Sequence, residues 1–351
     1  MKEYIAFDSH KHYTLMERED VATGRTRQVR IEHAPGAIRK SLAGCPAGTP
    51  VPVEATGNWY WIVKEIEEAG LRPVLVHPRK AKLMMGMINK TDKLDVHGLN
   101  RLQRNGTLPT VWIPPGDLRD LRELTRGRVA LTRQRTRLKN VIRSALTKYG
   151  LQMGEVSDPF GIRARKGLDE RVAQLPSETR FMTGLFLDQL DFIAKQIATV
   201  EKRFQALVKA TPDMERLTTM PGVAAILAAT IALEVGDASR FPDAEHLASY
   251  AGTTPRVHSS GGKTRYGKLR SDVNRHLKWA FAEAGNSVAV NHRRRPEKHV
   301  SRIYRRVRQR RGHAVAVGAV ARHLAEATFY ILAKKETYRD PSWRNGRARE
   351  A

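Results

Sequence analysis

The order of strand-like and helix-like stretches in the first hundred residues most constrains what this 351-residue chain can fold into. Residues 4–7 form a short apolar run that ends at the acidic Asp8. Residues 13–19 and 26–32 follow as two further strand-like stretches around the turn-prone Thr23-Gly24, which makes an antiparallel meander. Residues 51–54 are a fourth short strand. From Asn58 to Ala69 the apolar Trp59, Ile62, Val63 and Ile66 recur at helical spacing up to Gly70, and residues 72–76 are a fifth strand stopped by His77-Pro78.

Three strands followed by alternating strand and helix is the order of an RNase H-like (RuvC-like) fold, a mixed sheet with helices on its faces. It is expected to fill residues 1–110. Beyond Pro115 the pattern becomes helical: residues 118–148 carry Leu118, Leu121, Leu124, Val129, Leu131, Leu138, Ile142 and Leu146 at near-helical spacing, and residues 185–209 form a second long helix. A linker rich in glycine, proline and charge spans residues 150–177. The pair predicts an antiparallel, coiled-coil-like helical arm over 111–212. A mainly α-helical C-terminal domain is expected over 213–340, with residues 341–351 as a tail. That domain opens on Leu217-Thr-Thr-Met-Pro-Gly-Val, where a Pro-Gly turn joins two short helices as a helix-hairpin-helix that can present backbone N–H groups to a DNA phosphate. The fold class is therefore α/β plus α.

Charge points to the partner. Lys and Arg number 62 against 36 Asp and Glu, a formal charge of +26. Nucleic acid is the favoured counter-charge, because neutralised phosphates release condensed counterions, and a basic membrane-surface protein is the competing reading. The apolar stretch 312–333 is interrupted by Arg322, His323 and Glu326 and reads as a buried helix, not a membrane span. No secretory start is visible, and the single cysteine, Cys45, excludes both an intrachain disulfide and a cysteine-type zinc site, which fits a reducing cytoplasm. The first arm helix carries nine Lys or Arg and two acids over 118–143, and residues 293–311 carry ten and one. Each is either a solvated face or a nucleic-acid groove, with Arg293, Arg294, Arg305, Arg306, Arg310 and Arg311 the candidate contacts in the second.

Chemistry in so basic a chain needs its acids explained. Asp8 and Glu54 each end a strand and can emerge at one edge of the sheet. Asp92 and Asp95, spaced i and i+3 at the start of a helix, share one face. Four such carboxylates can hold Mg²⁺, two ions in phosphodiester chemistry, whereas singly each is an ordinary surface acid, and Asp92 after Thr91 an ordinary helix cap. A second candidate is Val257-His-Ser-Ser-Gly-Gly-Lys-Thr-Arg-Tyr-Gly-Lys. It is either a flexible loop that binds a phosphate backbone through Lys263, Arg265 and Lys268, or one in which Ser260 or Ser259 attacks phosphorus. Nothing suggests ATP or a redox cofactor.

These residues resemble the insertion-sequence-110 family of transposases, also called DEDD transposases, over nearly the whole chain. The resemblance rests on Ala6-Phe-Asp-Ser-His-Lys, Glu54-Ala-Thr-Gly, Lys90-Thr-Asp-Lys-Leu-Asp, Met220-Pro-Gly-Val, Tyr250-Ala-Gly-Thr-Thr-Pro, Ser260-Gly-Gly-Lys, Asn274-Arg-His-Leu and Ala321-Arg-His-Leu-Ala. It implies that Asp8, Glu54, Asp92 and Asp95 are the acids of a RuvC-like domain and Ser260 the serine of a C-terminal transposase domain. It further implies strand exchange through a covalent serine-DNA intermediate, a structured guide RNA from the element's ends, and assembly as dimers or tetramers. A structure-selective nuclease using only the four acids, or a non-catalytic nucleic-acid-binding protein, are the competing readings of the residues.

Overall fold

The computed structural model describes residues 3–86, 91–152, 158–270 and 272–341. Lys90, the first residue of the Lys90-Thr-Asp-Lys-Leu-Asp motif, lies outside them, as do residues 342–351 of the expected tail. The chain divides into two compact units, Met1–Pro114 and Pro115–Ala351.

In the first unit, β1 (Glu3–Ser9), β2 (Tyr13–Asp20) and β3 (Thr26–Glu32) form the meander. The short helix α1 (Ala37–Ser41), β4 (Pro50–Glu54), α2 (Trp59–Glu68) and β5 (Arg72–Val76) follow, then α3 (Pro78–Met85) and α4 (Asp92–Arg104). The sheet order is β3-β2-β1-β4-β5. The β1–β2 and β2–β3 pairs are antiparallel, and β1–β4 and β4–β5 are parallel. Alternation along β1 explains the layering, since successive side chains point to opposite faces. Ile5 and Phe7 join Val51, Val53, Ile62 and Ile66 in one buried cluster, on the α2 side. Ala6 joins Val76, Ala81, Val96 and Leu99 in another, on the α3 and α4 side.

Polar ties fix α4 against β2. Glu17, fully buried, accepts from Asn100 Nδ2 (3.1 Å) and Gln28 Nε2 (2.7 Å) and lies 3.1 Å from His97 Nδ1. Arg104 pairs with the buried Glu19 at 2.8 Å. A buried carboxylate is tolerated only with such partners, so these bonds specify where α4 sits.

In the second unit, α5 (Gly116–Lys148), α6 (Arg165–Ala173) and α7 (Ser177–Ala210) lead into α8 (Pro212–Leu217), α9 (Ala225–Val235) and α10 (Ala244–Tyr250). A two-stranded ribbon, β6 (Pro255–Ser260) and β7 (Lys263–Leu269), precedes α11 (Arg275–Asn291) and α12 (His299–Lys334). The helices α5 and α7 run antiparallel: Arg128 bonds Glu201 near one end, and the Tyr149 hydroxyl lies 3.2 Å from that of Thr179 near the other. Leu118, Leu121 and Leu124 pack with Phe204, Val208, Ala229 and Leu233, so the base of the arm is built into α9. The segment read as a linker holds α6, whose Leu168 and Val172 pack on Ile142, Leu146, Leu187 and Leu190. Its glycine and charge content hid two turns of amphipathic helix. The second arm helix also starts at Ser177, eight residues earlier than its apolar spacing announces.

The arm's basic residues are partly spent inside the fold. Arg122 is buried and donates to the Leu233 and Glu234 carbonyls, and Arg126 and Arg128 pair with Glu234 and Glu201. Helix α12 turns sharply at Gly312 (φ 80°, ψ 177°). By length and composition it could cross a membrane. Ala316, Val320, Leu324 and Ile331 are nevertheless buried in one core with Phe281 and Leu247, so the segment is a core helix, in keeping with the reading of 312–333.

Candidate active site

The first candidate site lies where β1 and α4 meet. Asp8 shares the α4 face of the sheet, two residues beyond Ala6, and is 8% exposed. Phe7 pairs with Val53 across the parallel β1–β4 ladder, so Glu54, one residue on, stands beside Asp8 at the ends of adjacent strands and on the same face. On α4, Thr91 is the cap, its hydroxyl accepting from Leu94 N–H at 3.3 Å. Asp92 is therefore the first helical residue and not the cap, and its carboxylate is directed elsewhere. It accepts from the Tyr13 hydroxyl at 2.6 Å.

His10 draws the acids together. Its Nε2 lies 3.2 Å from Asp8 Oδ2 and 3.4 Å from Asp92 Oδ2. Among the described residues, Asp8, His10 and Asp92 have donor atoms within 4.8 Å of one another. Glu54 and Asp95 stand outside that tight group. Asp95 is nevertheless near enough for its charge to act on Asp8. Burial pushes the Asp8 carboxyl above its ordinary value, His10 opposes this, and the charges of Asp95 and Asp92 add to it. A carboxylate held against two others is the environment a cation relieves. Carboxylate oxygens with one imidazole nitrogen suit a divalent ion, so the residues fit the metal that the acids suggest. Tyr13 is held over this site by Arg30, whose guanidinium lies 3.6 Å from the ring centroid, and its hydroxyl is pushed up by the bond to Asp92. Asn58, four residues after Glu54, donates to the His10 carbonyl at 2.7 Å and ties the Glu54-Ala-Thr-Gly turn to the same corner.

Sequence reasoning missed His10, Tyr13 and Asn58. His10 was visible within Ala6-Phe-Asp-Ser-His-Lys, two residues beyond Asp8; the other two are brought in by the strand register and the β4–α2 turn.

The second candidate site is the ribbon. The expected flexible loop is instead ordered antiparallel backbone, with Ser260 opposite Lys263, Ser259 opposite Thr264 and His258 opposite Arg265. Gly261 and Gly262 both have positive φ (56° and 75°), as a two-residue hairpin turn requires. Beyond Pro255 every ribbon residue is exposed. Alternation sorts its faces: His258, Ser260, Lys263 and Arg265 lie on one, and Val257, Ser259, Thr264, Tyr266 and Lys268 on the other. Ser260 is thus the hydroxyl that shares a face with most of the positive charge, and Ser259 Oγ lies 3.4 Å from the Thr264 hydroxyl.

The ribbon's root is clamped. A side chain at Gly252 (φ 68°) would meet Val273 Cγ2 at 2.4 Å, so only glycine allows that approach. Asn274 caps α11 through His276 and Leu277 N–H, and donates to the Tyr250 hydroxyl and to the buried Glu234. Burial opposes the Glu234 charge, but bonds from Arg126 and Asn274 and the charge of Arg122 outweigh it and hold the carboxyl below its ordinary value. Arg293, Arg294, Arg305, Arg306, Arg310 and Arg311 are all exposed.

Residues 214–301, which include Ser260, match the Transposase IS116/IS110/IS902 family, and residues 23–151, which include Glu54, Asp92 and Asp95, match a transposase domain of the DEDD IS110 type. The chain belongs to the IS110 family of transposases. It is 27% identical to a probable family 20 transposase of Pseudomonas aeruginosa, over 82% of this chain and 85% of that one. It is 26% identical to the transposase for insertion sequence element IS1111A of Coxiella burnetii, over 90% and 84%. A pilin gene-inverting protein of Moraxella bovis is 25% identical over 60% of this chain and 57% of its own. A transposase of this family acts on DNA, and its DEDD domain suggests divalent-metal use.

Proposed function

We propose that this transposase is a Mg²⁺-dependent DNA recombinase that moves its own insertion element, with the acids on an RNase H-like (RuvC-like) domain and a serine nucleophile on the ribbon. The observation that carries the reading is the meeting of Asp8 and Asp92 with His10 Nε2, inside 4.8 Å, beside Glu54 at the neighbouring strand end. Asp8, Glu54, Asp92 and Asp95 would hold the metal, which supplies charge neutralisation at the phosphodiester. The sheet order supports the RNase H-like assignment.

Ser260 Oγ attacks phosphorus. The bond from phosphorus to the leaving sugar oxygen breaks, the serine proton is released, and the leaving oxygen takes up a proton. Attack on the phosphoserine by a hydroxyl of another strand rejoins the DNA and frees the serine. Lys263 and Arg265, on the Ser260 face, offset the developing negative charge. Lys268, Arg293, Arg294, Arg305, Arg306, Arg310 and Arg311 bind backbone phosphates of duplex DNA. A relative named for inverting a pilin gene supports strand exchange over simple cutting, since inversion needs rejoining as well as cleavage. The resemblance to the family implies a guide RNA encoded at the element's ends and assembly as a dimer or tetramer, and the single cysteine fits action in a reducing cytoplasm.

Recombination in cells carrying the element's ends and a target tests this. Asp8→Asn and Ser260→Ala are each expected to abolish it, and full activity in either would remove that residue from the mechanism.

A further inference from the structure

A serine hydroxyl that attacks phosphorus must give up its proton, and the ribbon holds few groups that can take one. Between Pro255 and Leu269 there is no Asp or Glu and a single histidine, His258. The strand register decides which side chains stand with the serine. Ser260 pairs with Lys263 and His258 with Arg265, so these four share a face, whereas the hydroxyls of Ser259, Thr264 and Tyr266 lie on the other. An ammonium or a guanidinium group carries donors and no free lone pair, so neither accepts a proton. A neutral imidazole has one acceptor nitrogen, and a protonated one can give the proton back. On the Ser260 face of the ribbon, His258 is therefore the group able to move a proton in both directions.

We propose that His258 is the general base for Ser260: its imidazole takes the Oγ proton as the bond from Oγ to phosphorus forms, and returns it to Oγ when the phosphoserine is resolved. This rests on the reading of Ser260 as the nucleophile. In the first step the bond from phosphorus to the leaving sugar oxygen breaks, and that oxygen takes a proton from water. In the second the incoming hydroxyl attacks phosphorus and gives a proton to water, so the two steps together consume none. Residues two apart on a strand and on one face stand about 7 Å apart at their Cα atoms, close enough for both side chains to lean over one phosphate. Both are exposed, and among the described residues neither is held in another hydrogen bond or ion pair. They are not bonded to each other in the free chain, and a bond of this catalytic kind closes when substrate is bound. The face thus divides its work: Lys263 and Arg265 neutralise the phosphate, and His258 handles the proton.

The test is the rate at which the full chain, with Mg²⁺, end-labelled element-end and target DNA and the element's RNA, forms a protein-linked DNA band in a single turnover. His258→Gln keeps a hydrogen-bonding side chain but cannot take a proton, and is expected to slow the band by about 100-fold or more. Its thermal unfolding and its affinity for the same DNA, read by fluorescence anisotropy, should match the wild type, because the residue is exposed. Imidazole added to the solution can reach the exposed ribbon, and should restore part of the rate to His258→Ala and none to Ser260→Ala. A smaller loss in His258→Gln overturns the assignment, as does a loss that follows weaker DNA binding or one that imidazole leaves unrescued. A wild type that forms no protein-linked band, or a band that survives Ser260→Ala, overturns instead the serine reading on which the assignment rests.

Discussion

Replacing Glu234 by glutamine should loosen the second unit from its centre. Glu234 is fully buried and accepts from Arg126 at 3.1 Å and Asn274 at 2.9 Å, with Arg122, itself buried, 3.7 Å away. Removing one partner of a buried ion pair costs ~3–5 kcal/mol, because the remaining charge is left uncompensated. Glutamine keeps the shape and part of the hydrogen bonding, and Arg126 is partly exposed and can turn to water, so ~3 kcal/mol is expected for Glu234→Gln. The Glu234 carboxyl is held below its ordinary value, so the stabilisation it supplies is present above about pH 4.5 and is lost only as pH falls through the lowered value. At pH 7 the whole effect is available. Amide hydrogen exchange resolved to peptides of α9 and α11 is the assay, since it reads local opening free energy. A loss of ~3 kcal/mol corresponds to exchange faster by roughly 100-fold in those helices. An acceleration below about tenfold would refute the reasoning, because it would mean that Arg122 needs no buried counter-charge.

Asp8→Asn should raise the thermal stability of the metal-free protein at neutral pH while abolishing recombination. The folded-state value of Asp8 is raised, so its contribution to stability is intact below about pH 3.8 and is lost as pH rises through the folded value. A lower melting temperature for the variant would count against that electrostatic picture. Millimolar Mg²⁺ should raise the melting temperature of the wild type more than that of Asp8→Asn, and equal shifts would remove Asp8 from the metal site. His323, pushed down to about 4 by burial and by neighbouring His299, should make stability fall as pH drops from about 6.5 through 4, by up to ~3 kcal/mol. Urea unfolding across that range checks this, and the same slope in His323→Gln would contradict it. Gly222→Ala should cost at least ~2 kcal/mol through the left-handed backbone and the overlap with Ala284, and a neutral result in urea unfolding would show that the hairpin shifts freely.

The sheet was legible because its alternation is strong. Thr26–Glu32 and Arg72–Val76 have the bounds that their residue pattern predicts, and Trp59–Glu68 follows from apolar spacing closed by Gly70. The ribbon was not, because Ser-Ser-Gly-Gly-Lys has the composition of a loop and both faces are exposed, which leaves no apolar alternation to read. Within the candidate site, Asp8 and Asp92 were legible as acids at element starts and ends, but His10 was not assigned a part, since only the geometry sets its ring between them. Glu234 looks like any acid in an apolar helix until α5 and α11 supply its partners, and the arm's arginines look like a free basic face until Arg122, Arg126 and Arg128 are seen bound to acids and carbonyls within the same unit. Long-range pairing of this kind has no local signature.

The central claim, that Ser260 carries the strand and the acids support it, is tested most directly by incubating the protein with Mg²⁺ and end-labelled element-end and target DNA, with the element's RNA present, and resolving the products on a denaturing gel. The account predicts a protein-linked DNA band with the wild type and with Ser259→Ala, lost in Ser260→Ala and in Asp8→Asn. Strand exchange that proceeds in Ser260→Ala with no protein-linked species would contradict it.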